Sequence, residues 1–242
     1  MKKIFLILSL FLSSTAFASQ TIKFATEASY PPFEYTNQKG EIIGFDIDIA
    51  KALCSQIKAK CTFTNQSFDS LIPAIKFNRY DAAISAMDIT AERSKQVSFS
   101  DPYYDNAAEF IAINPKDKSI NDLKGKRVGV QNGTTHQKYI NENLKDIITV
   151  PYDSYQNALI DLKNGRIEAV FGDTAVLNEW LKKDNKLHIV GDKVTDKNYF
   201  GNGLGIAVNK SNTKLLNQLN KALATIKSNG TYQKIYDKYF KQ

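Results

Sequence analysis

Short apolar runs alternate with longer amphipathic stretches along this 242-residue chain, and the alternation restricts the folds that it can adopt. Runs of three to five mostly apolar residues predict buried strands, and stretches with apolar residues three or four positions apart predict helices. In the stretch 44–57, for example, Phe45, Ile49 and Leu53 fall on one face of a helix. Strands interleaved with helices favour an α/β fold with largely parallel sheets that helices cover on both faces.

The predicted elements are spread over the chain after its first twenty residues. The strands are predicted at 22–25, 62–64, 82–86, 127–131, 147–150, 169–171 and 204–208. The helices that are most clearly amphipathic are predicted at 44–57, 68–77, 213–227 and 231–240.

Residues 1–18 have the character of a cleaved export signal. Lys2 and Lys3 precede an apolar core at 4–12, and a small-residue cleavage site ends at Ala18. The apolar core is too short to anchor the chain in a membrane. Export implies an oxidising compartment, where Cys54 and Cys61 are expected to form a disulfide; two free buried thiols are the alternative.

The composition argues against several classes of function. The net charge of +7 is spread along the chain, without a basic stripe of the kind that binds nucleic acid, so no nucleic-acid partner is expected. His136 and His188 are far from the cysteines and from each other in the sequence, so no metal site is expected. There is no glycine-rich phosphate loop and no evident combination of nucleophile, base and oxyanion hole, so we expect neither a cofactor nor an enzyme.

The segment DAAISAMDITAER, residues 81–93, places opposite charges beyond the end of a predicted buried strand. Asp88 follows the apolar run, and Arg93 lies five residues later near the start of a predicted helix. In α/β proteins, ligands bind in the crevice outside the carboxyl ends of the strands. A free amino acid carries one charge of each sign, so this segment could hold both of them.

A weak internal repeat predicts two similar lobes. The segment SFDSLIPAIKFNRYDAAI, from Ser67, aligns without gaps with SYQNALIDLKNGRIEAVF, from Ser154. In both copies an acid follows the predicted strand, Asp88 in the first and Asp173 in the second. Chance likeness between two strand–helix units is the alternative. If the lobes face each other across a cleft, the two acids lie on opposite walls.

Several motifs along the chain carry a resemblance to a known family. GFDIDIAKALCSQI at 44–57 resembles the signature of the bacterial extracellular solute-binding proteins that serve polar amino-acid ABC importers. FATEASYPPFE, SFDSLIPAIK, DITAER, VGVQNGTTHQ and GTYQKIYDKYF are similar to that family in the same order. PYYDN, VPYDSYQNA, FGDTAV and DKVTDKNYFG are similar to its periplasmic arginine-binding branch.

The resemblance implies a two-lobe periplasmic binding protein fold of type II. The first lobe would comprise residues 19–106 and 203–242, and the second lobe residues 107–202. Two crossing strands, near 108–113 and 204–208, would form the hinge. The protein is expected to be a periplasmic monomer that encloses L-arginine and delivers it to a membrane ABC permease and its ATPase.

The ends of the bound amino acid have predicted partners on both lobes. Arg93 would hold the α-carboxylate with two parallel hydrogen bonds, although the residues alone also allow a surface arginine paired with Glu92. Thr134 and Thr135 open a predicted helix whose free N–H groups suit the same anion. The resemblance assigns the α-ammonium to Asp173, for which a plain helix cap is the alternative.

The side chain of the ligand has a second set of predicted partners. The resemblance implies that the rings of Tyr30 and Phe68 sandwich it and that Glu27 accepts its hydrogen bonds. Asp88 departs from the histidine- and lysine-binding relatives, which carry a small hydroxyl residue there, and is expected to bind the guanidinium. The remaining predicted ligand-binding residues are Ser85, Ala86, Met87 and Gln131.

Three other functions remain open at the level of the sequence. The chain could bind a broader set of cationic amino acids, namely lysine, ornithine and histidine. It could be a secreted enzyme similar to the cyclohexadienyl dehydratases, which share the fold. Sensor proteins also use this fold, fused to a kinase or a channel.

Overall fold

Two five-stranded sheets dominate the structure, a computed structural model that describes residues 20–200 and 202–241. The predicted signal peptide at 1–18 lies outside these residues. The strands of the first sheet are β1 (Thr21–Thr26), β5 (Lys60–Asn65), β6 (Ala82–Ala83), β7 (Ser98–Phe99) and β13 (Ala207–Val208). Their order in the sheet is β5-β1-β6-β13-β7.

The second sheet is built from the middle of the chain. Its strands are β8 (Ala108–Ala112), β9 (Arg127–Gln131), β10 (Ile148–Tyr152), β11 (Ala169–Asp173) and β12 (His188–Val194). Their order in the sheet is β10-β9-β11-β8-β12. A small third sheet contains β2 (Ser29–Tyr30), β3 (Glu34–Thr36) and β4 (Ile42–Ile43).

In the described part of the chain, eight α-helices pack around the sheets. They are α1 (Phe45–Ile57), α2 (Phe68–Lys76), α3 (Ala91–Ser94), α4 (Thr135–Asn143), α5 (Tyr155–Lys163), α6 (Thr174–Lys183), α7 (Thr213–Ser228) and α8 (Thr231–Phe240). A 3₁₀ turn spans Ile120–Leu123. Among the helices of residues 20–200 and 202–241, none combines the length and the apolar character needed to cross a membrane.

Strand β1 shows why both faces of the first sheet are covered. Successive side chains of a strand point to opposite faces. Phe24 packs into a core shared with Phe45 and Leu53 of α1, whereas its neighbour Ala25 packs against Leu71 of α2. The predicted α/β architecture, with each sheet flanked by helices, is therefore confirmed.

Helix α1 begins where only glycine fits. Gly44 has φ +134°, and a Cβ at this position would lie 2.1 Å from the carbonyl oxygen of Phe33. The helix ends at Ile57, and the C-cap residue Lys58 adopts the left-handed conformation. The predicted helix at 44–57 is thus confirmed, and its start is set by the close approach of the Phe33 backbone.

The sheets are mixed rather than largely parallel, which corrects the sequence prediction. In the first sheet β1 pairs in parallel with β5 and β6, but β13 is antiparallel to both β6 and β7. The second sheet repeats this pattern, with β8 antiparallel to β11 and β12. Apolar runs predict burial but not strand direction, so the pattern could not reveal these pairings.

Two predicted strands are shorter than expected. The run at 82–86 forms a strand only at Ala82–Ala83, because the chain turns at Ala86, which has φ 41°. The run at 204–208 forms a strand only at Ala207–Val208. Leu204 instead makes isolated bridges to Asp88 and Tyr104.

The chain crosses between the two large sheets twice. It leaves the first sheet between β7 and β8 and returns between β12 and β13. Tyr104 and Leu204, one from each crossing, pair in an antiparallel bridge. The predicted hinge strand at 108–113 begins only after the first crossing, since β8 pairs within the second sheet. The lobe boundaries at 106/107 and 202/203 fall in these connections and stay a prediction.

The predicted disulfide is confirmed between Cys54 on α1 and Cys61 on β5, with their Cα atoms 6.1 Å apart. It joins the end of a helix to the strand that follows it. No free cysteine is found among the described residues.

Replacing both cysteines, as Cys54→Ala with Cys61→Ala, is expected to lower the free energy of unfolding by about 2–3 kcal/mol. The disulfide closes a short loop in the unfolded chain and lowers its conformational entropy, and the double variant loses this effect. Urea unfolding of the wild type in reductant should show the same loss, and the double variant should not respond to reductant. A loss below about 0.5 kcal/mol would show that the bridge does not stabilise the fold.

Candidate functional site

A buried cavity lies between the two large sheets and gathers most of the predicted site. Its volume is about 10 Å³, room for about one water molecule. Ten of the twelve predicted ligand-binding residues line it, together with three that were not predicted. The lining residues are Glu27, Tyr30, Glu34, Phe68, Ala86, Asp88, Arg93, Gln131, Thr134, Thr135, His136, Tyr155 and Asp173.

Ser85 and Met87 are the two predicted residues that do not line the cavity. The Ser85 hydroxyl accepts the N–H of Glu27 at 2.9 Å and donates to Glu34 Oε1 at 2.9 Å. Met87 is buried in the core formed by α2 and the first sheet. Ser85 therefore supports cavity residues from behind, and Met87 contributes packing.

Three cavity residues were missed by the sequence analysis: Glu34, His136 and Tyr155. Tyr155 had a usable signal, because the internal repeat aligns it with Phe68. Each of the two begins the helix after its repeat serine, α5 for Tyr155 and α2 for Phe68. Glu34 and His136 lie inside quoted motifs, but nothing in the sequence places their side chains in the cavity.

Arg93 is buried and spans the space between the sheets. The Thr90 side chain caps the short helix that carries it, accepting the Arg93 backbone N–H at 3.2 Å. The guanidinium donates to the carbonyl oxygens of Asp88 at 3.0 Å and Gly133 at 3.2 Å. Glu92 pairs instead with Lys138, so the alternative of a surface Glu92–Arg93 pair does not hold.

Helix α4 points its N-terminus towards Arg93. Thr134 is the N-cap, and its hydroxyl accepts the Gln137 N–H at 3.2 Å. The first N–H groups of a helix have no acceptor within the helix, and they favour an anion. This helix start and the Arg93 guanidinium together form a surface suited to a carboxylate.

Asp88 and Asp173 lie side by side and share one amide. Asn106 Nδ2 donates to Asp88 Oδ1 at 2.8 Å and to Asp173 Oδ1 at 2.6 Å. The Thr135 hydroxyl donates to the other oxygen of Asp88 at 2.8 Å. The two acids come from segments of different sheets, but they meet instead of facing each other at a distance.

The two acids differ in their electrostatics. Burial, and then the neighbouring charge of Asp173, raise the pKa of Asp88 to about 6. Burial opposes ionisation of Asp173 as well, but His136, Tyr30 and Asn106 outweigh it and hold its pKa below the ordinary value. Asp173 is therefore the firmly ionised member, and Asp88 carries the electrostatic strain of the pair.

Asp173 is oriented by three groups. The Tyr30 hydroxyl donates to Oδ2 at 2.6 Å, and Asn106 donates to Oδ1. His136 Nε2 lies 3.1 Å from Oδ1, without the alignment of a directed hydrogen bond. The His136 ring packs edge-on against Phe171 at 5.1 Å. The three contacts fix the plane of the Asp173 carboxylate. Its Oδ2 atom can still accept a hydrogen bond from one further donor.

The two predicted aromatic walls have other neighbours in this structure. The Tyr30 ring lies 5.2 Å from the Tyr155 ring. The Arg93 guanidinium lies over the Phe68 ring, 5.4 Å from its centroid. Both rings line the cavity. Their contact with the side chain of a ligand stays a prediction.

Glu27 and Gln131 occupy another part of the cavity wall. The Ser29 hydroxyl and the Gln131 side chain hydrogen-bond to Glu27, but burial outweighs both and raises the pKa of its carboxyl. The Gln131 amide also donates to the Asp153 carbonyl oxygen at 3.0 Å. This hydrogen bond orients the Gln131 side chain. Among the described residues, Glu27 has no cationic partner.

The charges around the cavity do not balance. Four buried carboxyl groups line it, against Arg93 and, when it is protonated, His136 among the described lining residues. Buried charge without a partner is costly. The site therefore suits a ligand that brings more positive than negative charge, together with one anionic group for Arg93.

Comparisons with known proteins agree with this geometry. Residues 22–242 match the family model of the bacterial extracellular solute-binding proteins, family 3. The chain is 60% identical to the ABC transporter arginine-binding protein 1 of Escherichia coli, over 100% of both chains. It is 52% identical to the arginine-binding periplasmic protein of Mannheimia haemolytica, over 99% of this chain and 98% of that one.

Among solved structures, the chain is similar to a Salmonella typhimurium periplasmic binding protein described for its high arginine specificity. The TM-score is 0.89 and the identity 46%, over 92% of this chain and 100% of that one. The predicted resemblance and the type II two-lobe fold are therefore confirmed.

Asp88→Asn is expected to stabilise the ligand-free protein by about 1–3 kcal/mol at pH 7.5 and by much less at pH 4.5. A carboxyl whose folded pKa is raised contributes stability at low pH, and this is lost as the pH rises through about 6. Urea unfolding at the two pH values measures the difference. Asp101→Asn, at an exposed position, is the control. An equal effect of Asp88→Asn at both pH values would contradict the strained carboxylate pair.

Proposed function

We propose, since this chain belongs to the bacterial extracellular solute-binding proteins of family 3, that it captures L-arginine between its two lobes for an ABC importer. The observation that carries the proposal is the surplus of buried carboxyl groups around Arg93. L-Arginine brings two positive charges and one negative charge. It would give Arg93 an anion and give the acids two cations, so that few buried charges remain unpaired.

The α-carboxylate would bind Arg93 and the N-terminus of α4. A guanidinium grips a carboxylate with two parallel hydrogen bonds, which fix direction as well as charge. To do so, Arg93 would exchange its bonds to the carbonyl oxygens of Asp88 and Gly133 for stronger bonds to an ionised group. The Thr135 hydroxyl, now on Asp88, lies at the same helix start.

The α-ammonium would be shared by Asp173 and Asp88. This revises the role predicted for Asp88, because its carboxylate is joined to that of Asp173 through the Asn106 amide. An ammonium between the two acids would relieve their repulsion, which the neutral amide only bridges. Asp88 would then be a general anchor for amino acids rather than a contact of the side chain.

The guanidinium of the ligand would extend towards Glu27. This carboxyl is buried and has no cation beside it among the described residues. The faces of Tyr30 and Phe68 would flank the planar group, and each such contact contributes about 0.5–2 kcal/mol. Gln131 would orient Glu27 through the hydrogen bond between their side chains.

Entry of the ligand requires the lobes to separate, because a cavity of about 10 Å³ has no room for an amino acid. Separation would break the contacts that join the two sides, including Tyr30–Asp173 and Asp88–Thr135. The closed, loaded protein would then be presented to the permease and its ATPase. We further propose that it acts as a periplasmic monomer, exported through the signal peptide at 1–18.

The enzymatic alternative is less consistent with the cavity. A cyclohexadienyl acid substrate carries two carboxylates, and the carboxyl groups of Glu27, Asp88 and Asp173 would repel the second of them. Among the described lining residues, Arg93 is the one arginine or lysine that could neutralise such a group. We therefore propose a binding protein without catalytic activity, which an assay of prephenate turnover checks directly.

Isothermal titration of the mature protein against five amino acids tests the proposal. We expect L-arginine to bind at least about tenfold more tightly than lysine, ornithine or histidine, and glutamine to bind most weakly. The planar guanidinium matches both the acid and the ring faces, and glutamine leaves a buried carboxylate unpaired. Preference for glutamine would refute the assignment.

Two neutral variants of the acids provide the internal control for that titration. Glu27→Gln should lower the affinity for arginine much more than the affinity for glutamine, because it removes the anionic partner of the cationic ligand side chain. Asp88→Asn should lower the affinity for both ligands by similar factors, because the Asp88 carboxylate would contact the α-ammonium that both ligands carry. The reverse pattern would restore the side-chain role first predicted for Asp88.

A further inference from the structure

Two buried carboxyl groups, Glu34 and Asp46, form a pair at the cavity wall. Glu34 is 1% exposed and lines the cavity, and Asp46, near the start of α1, is fully buried. The Ser85 hydroxyl donates to Glu34 Oε1 at 2.9 Å. The Ala86 N–H and the Tyr103 hydroxyl each donate to Asp46 Oδ2 at 2.8 Å.

A hydrogen held between the two remaining oxygens of the pair would satisfy both of them. Glu34 Oε2 and Asp46 Oδ1 are buried and receive no other donor in the described part of the chain. Each carboxyl group lies within hydrogen-bonding reach of the other, and neither has a lysine or arginine ion pair among the described residues. Two ionised carboxylates in this position would face each other without a donor.

Of the two carboxyl groups, Glu34 is the one that favours keeping the hydrogen. Burial raises the pKa of Glu34 well above its ordinary value, and the charges of Asp46 and then Glu27 raise it further. Asp46 is held closer to its ionised form by the Ala86 N–H, by Glu34 and by Tyr103, although burial still raises its pKa to about 6. With one hydrogen shared, the pair would carry one negative charge, on Asp46 and away from the cavity.

We propose that Glu34 is a neutral, specificity-determining acceptor of the arginine site and that Asp46 positions it by taking its only hydrogen. A carboxylic acid can donate or accept, but with its hydrogen committed to Asp46, Glu34 presents only oxygen lone pairs to the cavity. That surface suits a guanidinium, which has five donors and no acceptor. Asp46 also holds the N–H of Ala86, the residue at φ 41° that lines the same wall.

The role of Glu34 as an acceptor for the ligand rests on the proposed function, but the hydrogen shared with Asp46 does not. The infrared spectrum of the ligand-free protein at pH 7 tests the hydrogen directly. The wild type minus Glu34→Gln difference spectrum should contain the C=O band of a protonated carboxyl group. Asp46→Asn should also lose this band, because its amide supplies the hydrogen and Glu34 ionises. Absence of the band from the wild type would overturn the proposal.

Urea unfolding between pH 6 and pH 9 gives a second readout. A raised folded pKa gives stability that is lost as the pH rises through it, so the wild-type midpoint should fall relative to Glu34→Gln. The variant carries its hydrogens covalently and should not share this loss. Glu41→Gln, at an exposed position, is the matched control and should follow the wild type. Parallel pH profiles for wild type and Glu34→Gln would contradict the shared hydrogen.

Titration with arginine at pH 7 completes the test. Glu34→Gln keeps an acceptor towards the cavity and a donor towards Asp46, so its affinity should stay within about threefold of the wild type. Glu34→Met removes both and should lose at least about tenfold. Equal binding by Glu34→Met would refute the acceptor role. Failure of the wild type to bind arginine would refute the proposed function instead, and the infrared result would still decide the shared hydrogen.

Discussion

Buried carboxylates that outnumber their cations are the constraint on which the site depends. Asp88 and Asp173 meet in the interior with only the Asn106 amide between them, and Arg93 turns to backbone carbonyl oxygens. Burial makes such an arrangement unfavourable unless a partner arrives. A ligand with two positive charges and one negative charge supplies the missing partners. The site therefore favours such a ligand over one with a neutral side chain.

The fold brings these charges together by using the same local device in each lobe. A helix with a serine N-cap is followed by a strand and then by an acid, which is Asp88 beside the first sheet and Asp173 at the end of β11. Both acids therefore lie at or just beyond the carboxyl ends of strands. The crossing segments then bring Asn106 between the two acids.

The sequence alone could predict what depends on local pattern. The apolar face of α1, the Cys54–Cys61 bridge and the segment that carries Asp88 and Arg93 could all be read from spacing and motif. The antiparallel pairings of β13 could not, because apolar runs do not encode strand direction. Glu34 was missed for a related reason, since its role depends on Asp46, Ser85 and Tyr103, which lie far apart in the chain.

The central claim is that the charge of the ligand's side chain, and not only its shape, satisfies the site. L-Citrulline tests this most directly, because it replaces the guanidinium of arginine with a neutral urea group of nearly the same shape and keeps both ends of the amino acid. Isothermal titration of both ligands should give a dissociation constant for citrulline at least about 100-fold higher, equivalent to about 3 kcal/mol. Affinities within about threefold of each other would contradict the account.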